Sequence, residues 1–487
     1  MAAPRGGVLS MFGAAQDPSM VPAWMNGASA TAPEAMGRAV SDRALDLVFI
    51  IDATGSMGSY INSATRNIES ICDQIVQSEL LTAPDALRVG LIAYRDHPPQ
   101  DHVYITKNFG FTTSVPTMKE QLNGLFAAGG GDGPEAMTAA LKAASDLDWR
   151  PDAAKMAILI TDAPPHGIGE YGDGFPNGSP DGEDPLVLAR SMSARGISLF
   201  VVACEPALSG YQHAVDFYHG LVTITSGMLV PLTTASLLSH VVVAAAGEVM
   251  DLERLHRELG DSVLERMRSL SLDMQSAGDA PVADATSLLV DQVSVELHER
   301  LLLRNESTKQ LIVENIYRES EESAHNIRVW THAPNVMAAR PHIRKVIGSR
   351  LSPKFLEMRR AGLSSAPRTL APGPAPAPAV SAPSRHVVSH FDAFQAGPGI
   401  SFLGTQHATT DYASLSTQRY RTAGAEDDMD DDGDDALMPT DGLGDANEQD
   451  NEIRFEGDDG QTLALRQDAI SLSQTRRLAL QSLWRAS

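Results

Sequence analysis

Short apolar runs alternate with helical patterns through the first half of the chain. Three such runs cover residues 45–51, 87–94 and 156–161, and each is short, apolar and bounded by polar or small residues. A run of this kind predicts a strand buried on both faces. Further strands are predicted at 103–113 (an edge strand), 197–202 and 222–232, and helices at 61–75, 134–148, 185–194 and from residue 235. Because strands alternate with helices, the sequence predicts an α/β fold with a doubly wound, mostly parallel, Rossmann-like sheet.

The pattern becomes mainly helical after Gly247. Helical spacing continues from Leu252 to Met267, with Gly260 as a candidate break, and again from Leu288 to Leu303. Residues 309–317 and 327–330 fit either a strand or a helix. Near the end of the chain, the run 457–460 suggests a hairpin, and a short helix is predicted to finish at Trp484.

Composition divides the chain further. We expect a disordered N-terminus and an α/β domain, followed by a smaller, mainly helical or α+β accessory region. A Pro/Ala-rich and polar linker, an acidic tail and a short C-terminal helix complete the prediction. The expected boundaries are 1–41, 42–247, 248–363, 364–425, 426–459 and 460–487, with disordered segments flanking the folded part.

Charge and cysteine content narrow the class of protein. The formal net charge is −24, and most of the excess lies between residues 426 and 459, so we expect no general nucleic-acid binding. Cys72 and Cys204 are the only cysteines and lie in apolar contexts, which is typical of a reducing compartment. The N-terminus lacks a continuous apolar signal region, and polar residues interrupt the apolar stretch 221–249. We therefore expect a soluble, cytoplasmic protein without a membrane span.

Polar loops follow three of the predicted strands. Asp52-Ala53-Thr54-Gly55-Ser56 follows the first strand, Gly129 to Glu135 opens another helix, and Asp162 ends the strand at 156–161. In a doubly wound sheet, ligands bind at the carboxyl ends of the strands. Carboxylates and hydroxyls together make an all-oxygen site, which suits a hard divalent cation such as Mg²⁺, or Mn²⁺ or Ca²⁺. The alternatives are a simple capped turn at the first loop, and a helix cap at Asp132.

These residues resemble a known family. The run from Phe49 to Met57 is similar to the D-x-S-x-S metal-ion-dependent adhesion site of von Willebrand factor A domains, and Asp162 matches the family's later aspartate. The resemblance implies a metal site formed by Asp52, Thr54, Ser56 and Asp162, whose shell a partner protein's acidic side chain completes; we add Asp132 as the candidate ligand from the glycine-rich loop. Two departures stand out: Thr54 replaces the usual serine, and Gly131 stands where the family has a threonine, with Asp132 the nearest replacement.

The resemblance is strongest to A domains found beside α-kinase domains in lower eukaryotes, which have similar Asp-Ala/Cys-Thr-Gly-Ser-Met and Gly-Gly-Gly-Asp-Gly-Pro-Glu patterns. It covers about two-fifths of the chain and implies a protein-binding module. We recognise no kinase motifs after Gly247.

An enzymatic alternative is a Mg²⁺-dependent phosphohydrolase of the haloacid dehalogenase type, with Asp52 as nucleophile. Thr54 stands where those enzymes usually carry a second aspartate, and Lys155 precedes its strand instead of opening a helix near the site. We therefore expect no enzymatic activity.

Other polar segments fit either a functional or a purely structural role. Arg95-Asp96-His97 could face the same rim or form a loop salt bridge, and the long Gly/Pro loop after Asp162 could shape a binding surface or be simply solvated. The residues of interest in that loop are His166, Asp173, Asp181, Glu183 and Asp184. The basic stretch 340–360 could bind nucleic acid, anionic lipid or the acidic tail, or be a solvated face, and residues 467–484 could form a partner-binding helix.

Overall fold

The computed structural model describes residues 43–79, 81–277, 282–365 and 452–486. The predicted disordered N-terminus, nearly all of the predicted linker and the acidic tail up to residue 451 lie outside the described residues.

A six-stranded sheet forms the centre of the first half of the chain, in the order β3-β2-β1-β4-β5-β6. Strand β1 pairs in parallel with β2 and β4, the pairs β4–β5 and β5–β6 are also parallel, and only the edge strand β3 runs antiparallel. The strands are Leu45–Asp52, Leu87–Tyr94, Thr106–Thr112, Ala154–Thr161, Ile197–Cys204 and Leu229–Leu232 for β1 to β6. The predicted doubly wound, mostly parallel sheet is confirmed.

Helices cover both faces of this sheet, which explains the continuous apolar runs. Along β1, Leu47, Phe49 and Ile51 enter one core, while Val48 and Ile50 enter the other. The first core is covered by α1 (Gly58–Ser78), α2 (Val115–Asn123) and the start of α6 (Leu238–Ala277). The second is covered by α3 (Met137–Ser145), α4 (Pro185–Ala194) and α5 (Ala214–Ile224).

Several of the predicted boundaries were wrong, and two of them bear on the strands and loops around the site. The strand expected from residue 222 begins only at Leu229, because Val222 belongs to the last turn of α5. The helix expected from Pro134 begins at Met137, so the residues from Pro134 to Ala136 remain in the loop. The second correction matters for the site, because it leaves the side chain of Glu135 free to turn back toward the sheet.

Helix α6 continues without interruption through Gly260, so the predicted break there was wrong. The boundary predicted at residue 247 falls inside this helix. Within the described part of the chain, a segment that includes most of α6, Ala235–Leu272, is the one stretch long and apolar enough to cross a membrane, and 72% of its most apolar window is buried against the rest of the protein. Helix α7 (Val282–Leu303) packs against it.

A second, three-stranded antiparallel sheet joins two distant parts of the chain. Strand β7 (Ser307–Val313) pairs with β9 (Thr462–Ala469), and β9 pairs with β8 (Glu452–Glu456). The ambiguous run 309–317 therefore begins as a strand, and the hairpin at 457–460 is present. The ambiguous run 327–330 lies in helix α8 (Glu321–His332). Helices α9 (Val336–Ala339) and α10 (Pro353–Ser365) follow it.

The last helix, α11 (Leu472–Arg485), packs into the core of the accessory region. Its residue Gln474 is almost fully buried and accepts a hydrogen bond from the Thr308 hydroxyl at 2.7 Å. The Gln474 amide donates to Glu248 at 3.0 Å and to the Lys309 carbonyl at 2.8 Å. These contacts tie the C-terminal segment to α6 and β7.

Candidate metal centre

Asp52 lies at the carboxyl end of β1 and is completely buried. Its Oδ1 accepts two hydrogen bonds from Thr54, from the backbone N–H at 2.9 Å and from the hydroxyl at 2.6 Å. Its Oδ2 accepts a weaker hydrogen bond from the Thr161 hydroxyl at 3.3 Å. The turn after β1 therefore fixes the orientation of this carboxylate before any ligand binds.

Asp162 follows β4 directly, so the parallel pairing of β1 with β4 brings it to the same edge of the sheet as Asp52. The carboxylate is mostly buried. Burial raises the pKa of Asp162, and a hydrogen bond from the Ser56 side chain opposes that rise. Ser56 itself is exposed, so its hydroxyl stands at the mouth of the site.

The glycine-rich loop lies directly against the first loop. The Ala128 N–H donates to the Ala53 carbonyl at 3.0 Å, and the Gly55 N–H donates to the Gly129 carbonyl at 3.3 Å. Gly130 has a φ of +85°, and a Cβ at this position would lie 2.7 Å from Glu135 Oε1 and 3.4 Å from the Thr54 Cβ. The absent side chain therefore makes room for the Glu135 carboxylate beside Thr54.

Glu135 was not among the residues predicted for the site. Its backbone is held by hydrogen bonds from its own N–H to the Pro164 carbonyl and from the Ala136 N–H to the Arg95 carbonyl, both at 2.9 Å. Its side chain is 5% exposed, and among the described residues no donor reaches Glu135 Oε2. Glu135 belongs to the predicted polar loop from Gly129 to Glu135. A helix that began at Pro134 would have placed Glu135 on a helix face instead.

The buried carboxylates raise one another's pKa values. Burial raises the pKa of Asp52 to about 7, where the Thr54 hydrogen bonds oppose the rise and the charge of Asp162 adds to it. Burial also raises the pKa of Glu135 to about 10, and the charges of Asp52, Asp96, Asp132 and Asp162 raise it further. A cation bound among these carboxylates would compensate the charge of their ionised forms, which burial alone disfavours.

Asp132 lies in a different group from the other predicted ligands. Its carboxylate accepts hydrogen bonds from the Gly174 N–H and, at 3.4 Å, from the Gln100 amide. It also approaches Asp96 and His166, with one ligand atom of each of the three residues within 4.8 Å of the others. Arg95, predicted to form a loop salt bridge, pairs with Asp101 at 3.5 Å.

A comparison with known families matches the part of the chain that carries this site. The family model of the von Willebrand factor type A domain matches residues 46–229. The chain contains a von Willebrand factor type A domain. The parallel sheet, its flanking helices and the polar loops at its carboxyl edge all lie within or beside the matched range of this A domain.

Two curated relatives match the A domain region. One is an alpha-protein kinase, vwkA, of Dictyostelium discoideum, which is 32% identical over 141 residues, or 28% of this chain and 22% of the relative. The other is a putative ariadne-like RING finger protein, R811, of Acanthamoeba polyphaga mimivirus, 29% identical over 190 residues, or 38% of this chain and 18% of the relative. The matched region thus spans less than a quarter of the length of either relative.

The similar solved structures are more distant in sequence. The pilus adhesin SpaC of Lactobacillus rhamnosus GG is 14% identical, with a TM-score of 0.32, over 43% of this chain and 30% of the adhesin. Proximal thread matrix protein 1 of the mussel byssus, solved with a zinc-occupied MIDAS motif, is 13% identical, with a TM-score of 0.28, over 42% of this chain and 45% of that protein.

Proposed function

We propose that the A domain holds one divalent cation at Asp52, Thr54, Ser56 and Asp162, and uses it to bind a partner protein. The observation that carries the proposal is the set of three buried carboxylates, Asp52, Asp162 and Glu135, gathered around two hydroxyls. Oxygen donors of this kind favour Mg²⁺, Mn²⁺ or Ca²⁺. We place Glu135, in preference to Asp132, beside Thr54 in the space that Gly130 leaves open.

The chain's own residues would supply the shape and charge of this site. The Thr54 hydroxyl donates its proton to Asp52, so the lone pairs of its oxygen remain available to a cation. Ser56, the exposed hydroxyl, lies where a partner would approach. We propose that the bound cation supplies an open coordination position for an acidic side chain of that partner.

Metal binding tests the first part directly. Isothermal titration of the full chain with Mg²⁺, Mn²⁺ and Ca²⁺ should show one equivalent bound at this site, and Asp52→Asn or Glu135→Gln should weaken it. Asp146→Asn is a matched control, because Asp146 is an exposed carboxylate paired with Lys142 on the surface. Unchanged affinity in both site variants would contradict the proposal.

Binding and catalysis can then be separated. A binding module should retain a partner on the immobilised chain with Mg²⁺, release it with chelator, and fail to retain it as Asp162→Ala. The same protein should not hydrolyse p-nitrophenyl phosphate. Metal-dependent hydrolysis that Asp52→Ala abolishes would instead support the phosphohydrolase with Asp52 as nucleophile.

We also propose a cytoplasmic location. Cys72 and Cys204 are both free and buried, which suits a reducing compartment. Expression of a fluorescent fusion followed by cell fractionation would test this proposal, and recovery only in a secreted fraction would contradict it.

A further inference from the structure

We propose that Asp96, Asp132 and His166 form a second metal site, of mixed nitrogen and oxygen ligands, suited to Zn²⁺ or a similar transition metal. We call these three residues the His166 cluster. None of them is needed at the site proposed above, and the cluster does not depend on that proposal. Imidazole nitrogen with carboxylate oxygen is a ligand set that Zn²⁺ accepts readily.

Three separate loops build the His166 cluster. Asp96 follows β2, Asp132 lies in the glycine-rich loop and His166 follows β4, so the sheet itself brings them together. One ligand atom from each lies within 4.8 Å of the others. Asp96 and His166 are buried, whereas Asp132 is partly exposed, which leaves one side through which water or a partner group can complete the coordination.

The orientation of His166 is fixed by a residue behind it. Asp173 Oδ1 lies 2.8 Å from His166 Nδ1, and Asp173 is itself held by the N–H groups of Gly167 at 2.7 Å and Phe175 at 2.8 Å. A carboxylate that accepts the Nδ1 proton leaves Nε2 free as a metal ligand, which is the usual arrangement behind metal-bound histidines. Here Nε2 points at Asp96 Oδ1, 2.7 Å away. Asp173 is therefore a positioning residue.

Two carboxylate oxygens of the cluster have no hydrogen-bond donor among the described residues. Asp96 is completely buried, yet within the described ranges no donor reaches its Oδ2, and the same holds for Asp132 Oδ1. Burial raises the pKa of Asp132, and the nearby carboxylate of Asp96 raises it further. Buried polar atoms are ordinarily hydrogen-bonded or bound to an ion. A divalent cation between these two carboxylates and Nε2 would satisfy all three residues.

The competing arrangement is a protonated His166 that bridges Asp96 and Asp173 as a purely structural ion pair. In that arrangement one positive charge faces the three carboxylates of Asp96, Asp132 and Asp173. A divalent cation with a neutral imidazole compensates one more negative charge than the imidazolium does. It also satisfies the oxygens that the imidazolium leaves unpaired, which is why we favour the metal.

A Zn²⁺ titration of the full chain in excess Mg²⁺ tests the His166 cluster separately from the first site. We expect one equivalent of Zn²⁺, and X-ray absorption should show one imidazole ligand. Asp52→Asn should keep this equivalent, and His166→Gln should lose it while still binding Mg²⁺. The control is His213→Gln, since His213 is a half-buried histidine outside the cluster.

Asp173→Asn should leave the ligands in place but weaken Zn²⁺ binding by about 10- to 100-fold, the usual effect of losing such a support. If His166→Gln does not fold, Asp132→Asn serves instead, because Asp132 is partly exposed. No Zn²⁺ bound by the wild type, or no imidazole ligand at the bound Zn²⁺, would overturn the proposal. So would Zn²⁺ binding that survives both His166→Gln and Asp132→Asn, or that Asp52→Asn alone removes.

Discussion

Thr54 donates both its backbone N–H and its hydroxyl to the same oxygen of Asp52, at 2.9 and 2.6 Å. The short hydrogen bond from the hydroxyl fixes the Thr54 oxygen and the Asp52 carboxylate in position relative to each other. Thr54→Val keeps the shape and the backbone bond but removes the hydroxyl. We expect it to lower the Mg²⁺ affinity about 10- to 100-fold, as loss of a ligand or its support commonly does.

Thr54→Ser is the matched control for this prediction, because it keeps the hydroxyl and removes only the methyl group. Its Mg²⁺ affinity, measured by the same calorimetric titration, should stay within a few-fold of wild type. Equal affinities for the Val and Ser variants would show that the hydroxyl plays no part in metal binding.

Gly130 supports the site through the space it leaves open. Its φ is +85°, and an added Cβ would lie 2.7 Å from Glu135 Oε1. Gly130→Ala should therefore displace the Glu135 carboxylate and weaken Mg²⁺ binding. It should also lower the free energy of unfolding by more than the ~1–2 kcal/mol that a left-handed backbone costs an L-residue.

A second glycine separates the effect on Mg²⁺ binding from the effect of backbone strain on stability. Gly172 has a φ of +81°, but nothing lies within 4 Å of a Cβ built there. Gly172→Ala should cost only the backbone strain and leave the Mg²⁺ affinity unchanged. Urea denaturation and calorimetry on both variants provide the comparison, and similar losses of Mg²⁺ affinity in the two would mean that Glu135 is not involved.

The sequence was sufficient for the parts of this domain that depend on local pattern. Each buried strand appears as an apolar run, and a strand-end carboxylate such as Asp52 or Asp162 is visible because the run stops at it. Glu135 was missed because its position depends on the open space at Gly130 and on a helix that starts three residues later than expected. The pairing of β7 with β9 was also invisible, because it joins segments about 150 residues apart whose register no local periodicity encodes.

A buried ion pair joins the accessory region to the A domain. Asp216, completely buried on α5, accepts hydrogen bonds from Arg350, from the Ser323 hydroxyl and, at 2.9 Å, from the Asn326 amide. On the same helix, the Tyr218 hydroxyl donates to the Ala163 carbonyl at 2.7 Å, next to Asp162. Arg350→Met would leave the Asp216 charge uncompensated, so we expect a loss of about 3–5 kcal/mol in the free energy of unfolding.

Lys354→Met is the surface counterpart of this change. Lys354 pairs with Glu314 at 2.5 Å, but its side chain is 75% exposed. An exposed pair contributes at most about 1 kcal/mol, so urea denaturation should detect little change. If both variants lose the same stability, the buried pair is not the link we describe.

His219 gives the folded protein a specific sensitivity to acid. Its ring packs edge-on against Tyr317, with 5.9 Å between the ring centroids, and burial lowers the pKa of His219 to about 4. In the unfolded chain a histidine titrates near about 6.5. Because the unfolded chain then binds a proton that the folded state excludes, this contribution to stability is complete above about pH 6.5 and declines as the pH falls toward about 4.

His219→Phe keeps an aromatic ring against Tyr317 and removes the titration. Urea denaturation at pH 7.5 and pH 4.5 should therefore show that the wild type loses about 1–3 kcal/mol more than the variant over this interval, and parallel losses would contradict the assignment.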